Sequence, residues 1–382
     1  MPVVTARGRP EVLLCPGPVM LSPGVKTALA QCEVGHRDSR FARVVARLRQ
    51  NCATVLGATA DHSVMFVTGP ATSGIEATFA TLFPQERAVL VPVNGTFGLR
   101  LVEILETHGI PCVPVHFGFG QPYALERIEA AIVDGSRAGV AALAMTHHET
   151  SAGIVNPAAE VCAVARRHGL RTFVDATSSA GAEALDVARD GVDACVTTSG
   201  KCLHGAPGVA LVCVSREWLG ERCGSRPRTY SLDLRRYHDQ LETNSQTPFT
   251  PAVPQFMALD RAVEELLQRG GVAARRREYR RRRDFLAAAM GELGLSLLSL
   301  PRGTEASSIL TVRVPEALGF DALYRSMQER GYVIYGAKAP LAPDYFQLSV
   351  MGELSDADLS GFVESLRTVL ARTAAEFQAA SA

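Results

Sequence analysis

Along the first two thirds of the chain, short apolar runs alternate with stretches of helical periodicity. "VMFVT" leads into "GPATSGIEATFATLF", "RAVLVPV" into "NGTFGLRLVEILETHG", and "IPCVPVHF" into "ALERIEAAIVDG". "GVAALAMT" then precedes "NPAAEVCAVARRHG", and "RTFVDA", "ACVTTSG" and "GVALVCVS" follow as further apolar runs. The runs are continuous rather than alternating, so each predicts a strand buried on both faces, with amphipathic helices covering them. Together they predict an α/β layer architecture around a mostly parallel sheet.

The final third changes character. A long arginine-rich segment, "FMALDRAVEELLQRGGVAARRREYRRRRDFLAAAMGELG", predicts one extended helical stretch. "SSILTVRVP", "GYVIYG" and "YFQLSV" follow as isolated strands with helices between them. This is the pattern of a smaller α+β domain. The expected division is an N-terminal segment at 1–15, a large domain at 16–258 and a small C-terminal domain at 259–382. No internal repeat or low-complexity linker is visible.

Composition narrows the function classes. At 382 residues the chain is long enough for two domains and a large core. Its 39 basic and 39 acidic residues balance, leaving no global field for nucleic acid or an anionic membrane. The run "ARRREYRRRRD" reads as a solvated helix face partly paired with Glu278 and Asp284 rather than a nucleic-acid patch. The N-terminus lacks an apolar stretch of signal-peptide length and no stretch suits a bilayer span, so a cytoplasmic protein is expected. The nine cysteines are odd in number and form no C-x-x-C pair, which predicts buried reduced thiols and no zinc.

Ligands of an open parallel sheet bind beyond the carboxyl ends of its strands, so residues just after the apolar runs carry the chemistry. After "VMFVT", the small residues from Gly69 to Gly74 open a helix and leave backbone N–H groups for an anion such as phosphate. They form neither a dinucleotide-binding nor a Walker A pattern. After "RTFV", Asp175 either caps the next turn or holds a proton on a heterocyclic nitrogen. Phe97, on the loop "NGTFG", is either a lid on the core or a stacking surface for a flat ring. His147, His148 and Glu149 suggest a metal, but neighbours on an extended segment point opposite ways, so no shared ion is expected. Lys201 stands in "TTSGKCLHGAPG" among small and apolar residues, where a lysine is available as an amine nucleophile. Anion cup, stacking ring, buried carboxylate and sheltered amine together match one cofactor, pyridoxal 5'-phosphate (PLP).

The sequence resembles the class V aminotransferases of fold type I. It is most similar to the 2-aminoethylphosphonate–pyruvate aminotransferases, with alanine–glyoxylate aminotransferases a wider relation. The motifs are "LLCPGPVMLSPGVKTAL", "GHRDSRF", "HHETSAGIVNP", "VDATSSAGAEALDV", "GKCLHGAPG", "SLDL", "GGVAAR" and "GYVIYGAK", spanning Leu13 to Gly352. The resemblance implies a homodimeric PLP enzyme with shared active sites, acting on small amines and 2-oxo acids. It implies Lys201 as the Schiff-base lysine that moves the α-proton, and Asp175 as the partner of the pyridine nitrogen. Phe97 would stack on the ring, Thr150 would bond its phenolic oxygen, and Thr177 would join the cofactor site. Ala71 and Thr72 would hold the phosphate, with Thr250 reaching it from a partner subunit.

Three departures from the family pattern stand out: Pro70 replaces a hydroxyl residue, Gly200 precedes the lysine, and Gln347 replaces the arginine that grips the substrate's acid group. An unpaired anion there would cost on the order of 2–5 kcal/mol. Arg37 and Lys338 are the candidate replacement cations. Aminotransfer is therefore expected on an aminophosphonate or related small amine. The alternatives are a PLP enzyme of another reaction type (decarboxylase, lyase, oxidase or carbon–carbon bond former) and a non-enzymatic α/β protein.

Overall fold

The computed structural model describes residues 11–31, 33–135, 139–222 and 225–380. Most of the segment expected at 1–15 therefore lies outside the described residues, as do Cys32 and Cys223. The seven described cysteines are all free thiols, and all but Cys112 are buried. Among the described residues no helix is long and apolar enough to cross a membrane.

The continuous apolar runs form a seven-stranded sheet. Across it the strands lie in the order 62–68, 209–215, 194–198, 171–175, 140–146, 88–93, 112–116. All run parallel except Val209–Ser215, which is antiparallel to both neighbours. Asp175 pairs in register with Thr146 on one side and Val196 on the other, so these strands end at one edge. Val209–Ser215 begins there, because Ala210 lies opposite Thr198. Helix Ala71–Leu82 presses on the sheet at Gly74, where a Cβ would come within 3.0 Å of both Ala210 and Val196.

Strands Ile309–Arg313, Tyr345–Ser349 and Tyr335–Gly336 form the small domain's antiparallel sheet, with Tyr345–Ser349 central. "GYVIYG" thus splits in two, since Tyr332–Val333 pairs elsewhere, with Val12–Leu13. Ser349 N also donates to the Leu14 carbonyl, and Leu14 and Val19 pack in the small domain's core. The expected 258/259 boundary falls inside helix Val253–Gln268, whose Leu259, Val263 and Leu266 belong to the large core.

The arginine-rich segment is two helices, Val253–Gln268 and Gly271–Glu292, broken where Gly270 and Gly271 take φ of +94° and +70°. Glu278 pairs with Arg281 and Arg282, and Asp284 with Arg283. The run is not wholly solvated, however: Arg275 and Arg282 share the buried face of Tyr279 and Leu286. Arg275 Nη1 donates to the Cys202 carbonyl, and Arg282 to those of Gly352 and Leu354. A guanidinium's planar fork of donors suits it to capping such loop carbonyls.

Candidate active site

A cavity of ≈ 800 Å³ opens at the carboxyl edge of the parallel strands, beneath the three-stranded sheet that contributes Tyr335, Gly336 and Gln347 to its wall. A second cavity of ≈ 890 Å³ lies at the opposite edge. There Arg171 is tied to Asp193, Glu217 and Glu221 and offers no free cation.

Lys201 enters the first cavity from the loop after strand Ala194–Thr198. That loop folds back on itself through Ser199 N to the Val209 carbonyl, Gly205 N to the Ser199 carbonyl and His204 N to the Lys201 carbonyl. Such a return needs small residues: a Cβ at Gly200 would lie 3.0 Å from the Pro207 ring. The Lys201 ammonium donates to the Pro16 carbonyl, and the next residue, Gly17, has φ +131°. Burial pulls the Lys201 pKa below its ordinary value, and the nearby Arg100 charge adds to the effect.

Asp175 ends its strand in the cavity wall, 2 % exposed. Its Oδ1 accepts from Thr177 N at 3.0 Å and from the Thr177 hydroxyl. Its Oδ2 lies 3.8 Å from Arg100 Nη2. Phe97 sits in the first turn of helix Thr96–Thr107, whose N-cap, Gly95, supplies no side chain. Glu149 caps it instead, Oε2 accepting from Phe97 N and Gly98 N at 2.9 Å each. Glu149 thus serves the backbone, and among the described residues no group of acidic, histidine and cysteine side chains could hold a metal. The Arg100 guanidinium and the Lys338 ammonium each lie 4.6 Å from the centre of the Phe97 ring. Ala71 and Thr72 open their helix behind Pro70, which provides no side-chain cap and leaves first-turn N–H groups facing the cavity end.

The cavity thus gathers Lys201, Asp175, Phe97, Ala71, Thr72, Thr150, Thr177, Gln347 and Lys338. It does not gather Arg37 or Thr250 of the same chain. Arg37 donates to Gln246 Oε1 and the carbonyls of Thr247 and Pro248, and Thr250 Oγ1 lies 3.5 Å from His36 Nε2. Sequence reading missed Arg100, Thr146 and the Pro16–Pro18 turn and weighed His148 only as a metal ligand; all lie in the wall. Arg100 had a signal, since it stands three residues beyond Phe97 and so on the same helix face. Thr146 and His148 alternate with the strand-end residues already singled out, which also points them inward. Of seven buried side-chain polar atoms without a partner among the described residues, three belong to this wall: Arg100 Nε, Thr146 Oγ1 and His148 Nε2. In a native protein each such atom calls for a water, an ion, a ligand or a part in the chemistry.

The buried histidines around the site make stability pH-dependent. Burial pushes His147 down to about 4 and holds His148 and His204 below the ordinary 6.5. As pH falls below 6.5 the unfolded chain takes up protons that the folded chain refuses, so the stability present above 6.5 is lost. Glu149, raised by burial, acts in the opposite sense but is one group against three. Each histidine contributes a slope of at most about 1.4 kcal/mol per pH unit. The urea midpoint is expected to fall continuously from pH 6.5 towards 4, and an unchanged midpoint would contradict this account.

A doubly covered parallel sheet with a sheltered lysine and a buried carboxylate on one cavity defines a PLP-dependent transferase. The chain belongs to the class-V aminotransferases: that family's model, Aminotransferase class-V, matches residues 25–333. The chain is 33% identical over 360 residues to a 2-aminoethylphosphonate–pyruvate transaminase of Burkholderia mallei, covering 94% of this chain and 96% of that protein. A Polaromonas protein of the same name is also 33% identical, over 364 residues, with the same coverage. Among solved structures, alanine–glyoxylate aminotransferase from Nostoc sp. superposes with a TM-score of 0.89 at 24% identity, over 97% of this chain and 96% of that one. Pyridoxamine–pyruvate aminotransferase from Mesorhizobium loti gives 0.87 at 20% identity, over 96% and 93%.

Proposed function

We propose that this aminotransferase binds PLP in the cavity and moves an amino group between a small primary amine, an aminophosphonate or a relative of one, and a 2-oxo acid. The observation that carries the reading is the meeting of Lys201 and Asp175 in one cavity wall. The unpartnered polar atoms beside them support a polar ligand there. When bound, PLP supplies an aldehyde and an electron-withdrawing ring.

Lys201, whose pKa burial lowers, would be the amine that holds the cofactor's aldehyde and, once the substrate amine has displaced it, the free base placed to move the substrate's α-proton. Asp175, oriented by the two Thr177 hydrogen bonds, would keep a proton on the cofactor's ring nitrogen. Phe97, fixed by the Glu149 cap at its own N–H, would offer its face to the ring. Thr150 would bond the phenolic oxygen, and Ala71 and Thr72 would offer helix N–H groups to the phosphate. In a homodimer the partner subunit's Thr250 would add to them, since Thr250 lies outside the cavity of its own chain.

The test is a visible-absorption titration of the PLP-loaded protein. A small amino donor from a panel that includes 2-aminoethylphosphonate and L-alanine is expected to convert the yellow form stoichiometrically to the pyridoxamine form, and pyruvate to restore it. Conversion that no 2-oxo acid reverses would overturn the reading.

A further inference from the structure

The side chain at position 347 offers its ligand a lone pair, not a cation. Gln347 is 4 % exposed, and its Nε2 lies 2.7 Å from the Thr150 carbonyl, 3.3 Å from the Ser151 carbonyl and 3.4 Å from Thr311 Oγ1. Two carbonyl oxygens accept only, so the NH₂ end must face them and the amide cannot be flipped. Oε1 then receives no hydrogen bond from any described residue, and the side chain forms part of the cavity wall.

His148, in the same wall, presents the same polarity. It is 2 % exposed, with Nδ1 3.0 Å from the Ser178 carbonyl, so Nδ1 carries the proton. Nε2 is therefore an acceptor in the neutral ring, and it is buried without a partner. Burial holds the ring's pKa below its ordinary value, against the opposing pull of the Glu183 carboxylate. A carboxylate or phosphonate set against these two groups would meet lone pairs and lose its water without compensation. A hydroxyl, amide N–H or second amino group would satisfy them. The exposed Lys338 ammonium beside Phe97 has no acidic side chain within ion-pair distance among the described residues, and is left for the carboxylate of the 2-oxo acid.

We infer that the amino donor of this enzyme carries a hydrogen-bond donor, and no anion, at the end that Gln347 and His148 recognise. This rests on the aminotransferase reading and narrows it to a neutral or cationic member of the small-amine class.

Three donors of similar length separate the cases: 2-aminoethylphosphonate, 3-aminopropan-1-ol and n-butylamine, each reacted with the PLP-loaded protein in single turnovers. The amino alcohol is expected to show a kcat/KM at least about tenfold above both others, a lower bound for a site built to hydrogen-bond its substrate. Gln347→Arg is expected to shift the preference towards the phosphonate by about tenfold or more. His148→Phe is expected to slow the amino alcohol more than n-butylamine. A wild-type protein that prefers the phosphonate, or n-butylamine, overturns the inference without reference to any variant. Pyruvate is then added to the reacted protein. If it restores the yellow form, the aminotransferase reading stands whatever the donor ranking; if no donor converts the protein at all, both fall.

Discussion

Lys201→Ala is expected to lose turnover by about 10⁴-fold or more, because one side chain serves both as the amine that takes the cofactor's aldehyde and as the proton carrier. The amine is largely shielded and makes its hydrogen bond to the Pro16 carbonyl, so the fold does not depend on an ion pair at this position. Removing a largely desolvated amine should leave thermal stability unchanged or raised. Two measurements check the assignment: single-turnover rates of the variant, and borohydride reduction of the wild type followed by peptide mass analysis. The first should show loss of reaction with an unchanged far-ultraviolet dichroism spectrum. The second should put the cofactor's mass on the peptide containing Lys201. Turnover within tenfold of wild type, or a cofactor adduct on another lysine, would remove Lys201 from its role.

Asp175→Asn comes next in size, with a fall of about 10²–10³-fold expected from loss of one preorganised charge in a buried site. Asparagine keeps an oxygen for the Thr177 N–H and hydroxyl, so the turn after the strand is preserved and the change isolates the charge. The Asn variant should still bind PLP but convert slowly with every donor, and Asp175→Glu should recover part of the rate. If the Asn variant reacts as fast as wild type, the carboxylate has no part in holding a ring proton. Arg100 bears on this result, because its guanidinium lies 3.8 Å from Asp175 and would face a neutral amide in the variant.

The sheet was legible because its strands are buried on both faces, which leaves an uninterrupted apolar run as the signature of each. Strand-end residues were legible for the same reason: Asp175 and Lys201 are the polar residues that follow such runs. What stayed hidden depends on distant parts of the chain. Residues Val12–Leu13 make a two-residue strand with no periodicity of its own, and its partner lies at 332–333. Which way Gln347 points its amide is decided by the carbonyls of Thr150 and Ser151, far away in sequence. The burial of Arg275 and Arg282 needs the carbonyls of Cys202, Gly352 and Leu354 to be in place before charge alone stops predicting exposure. Thr250 and Arg37 lie outside the cavity, because Arg37 is held by Gln246, Thr247 and Pro248 and Thr250 stands beside His36, pairings that join positions more than 200 residues apart.

The pairing of Val12–Leu13 with Tyr332–Val333 also sets an order on how the molecule comes together. Every strand of the seven-stranded sheet lies between residues 62 and 215, so the nascent chain can complete that sheet while residue 332 is still unsynthesised. The first strand has to wait for its partner, and contacts of such long sequence separation form late because closing the loop costs chain entropy first. Pro16, whose carbonyl holds Lys201, lies just beyond that waiting strand. A chain caught before this docking step would have its large sheet built yet lack the Pro16 carbonyl beside its reactive amine, so the site is completed only when the two ends of the chain meet.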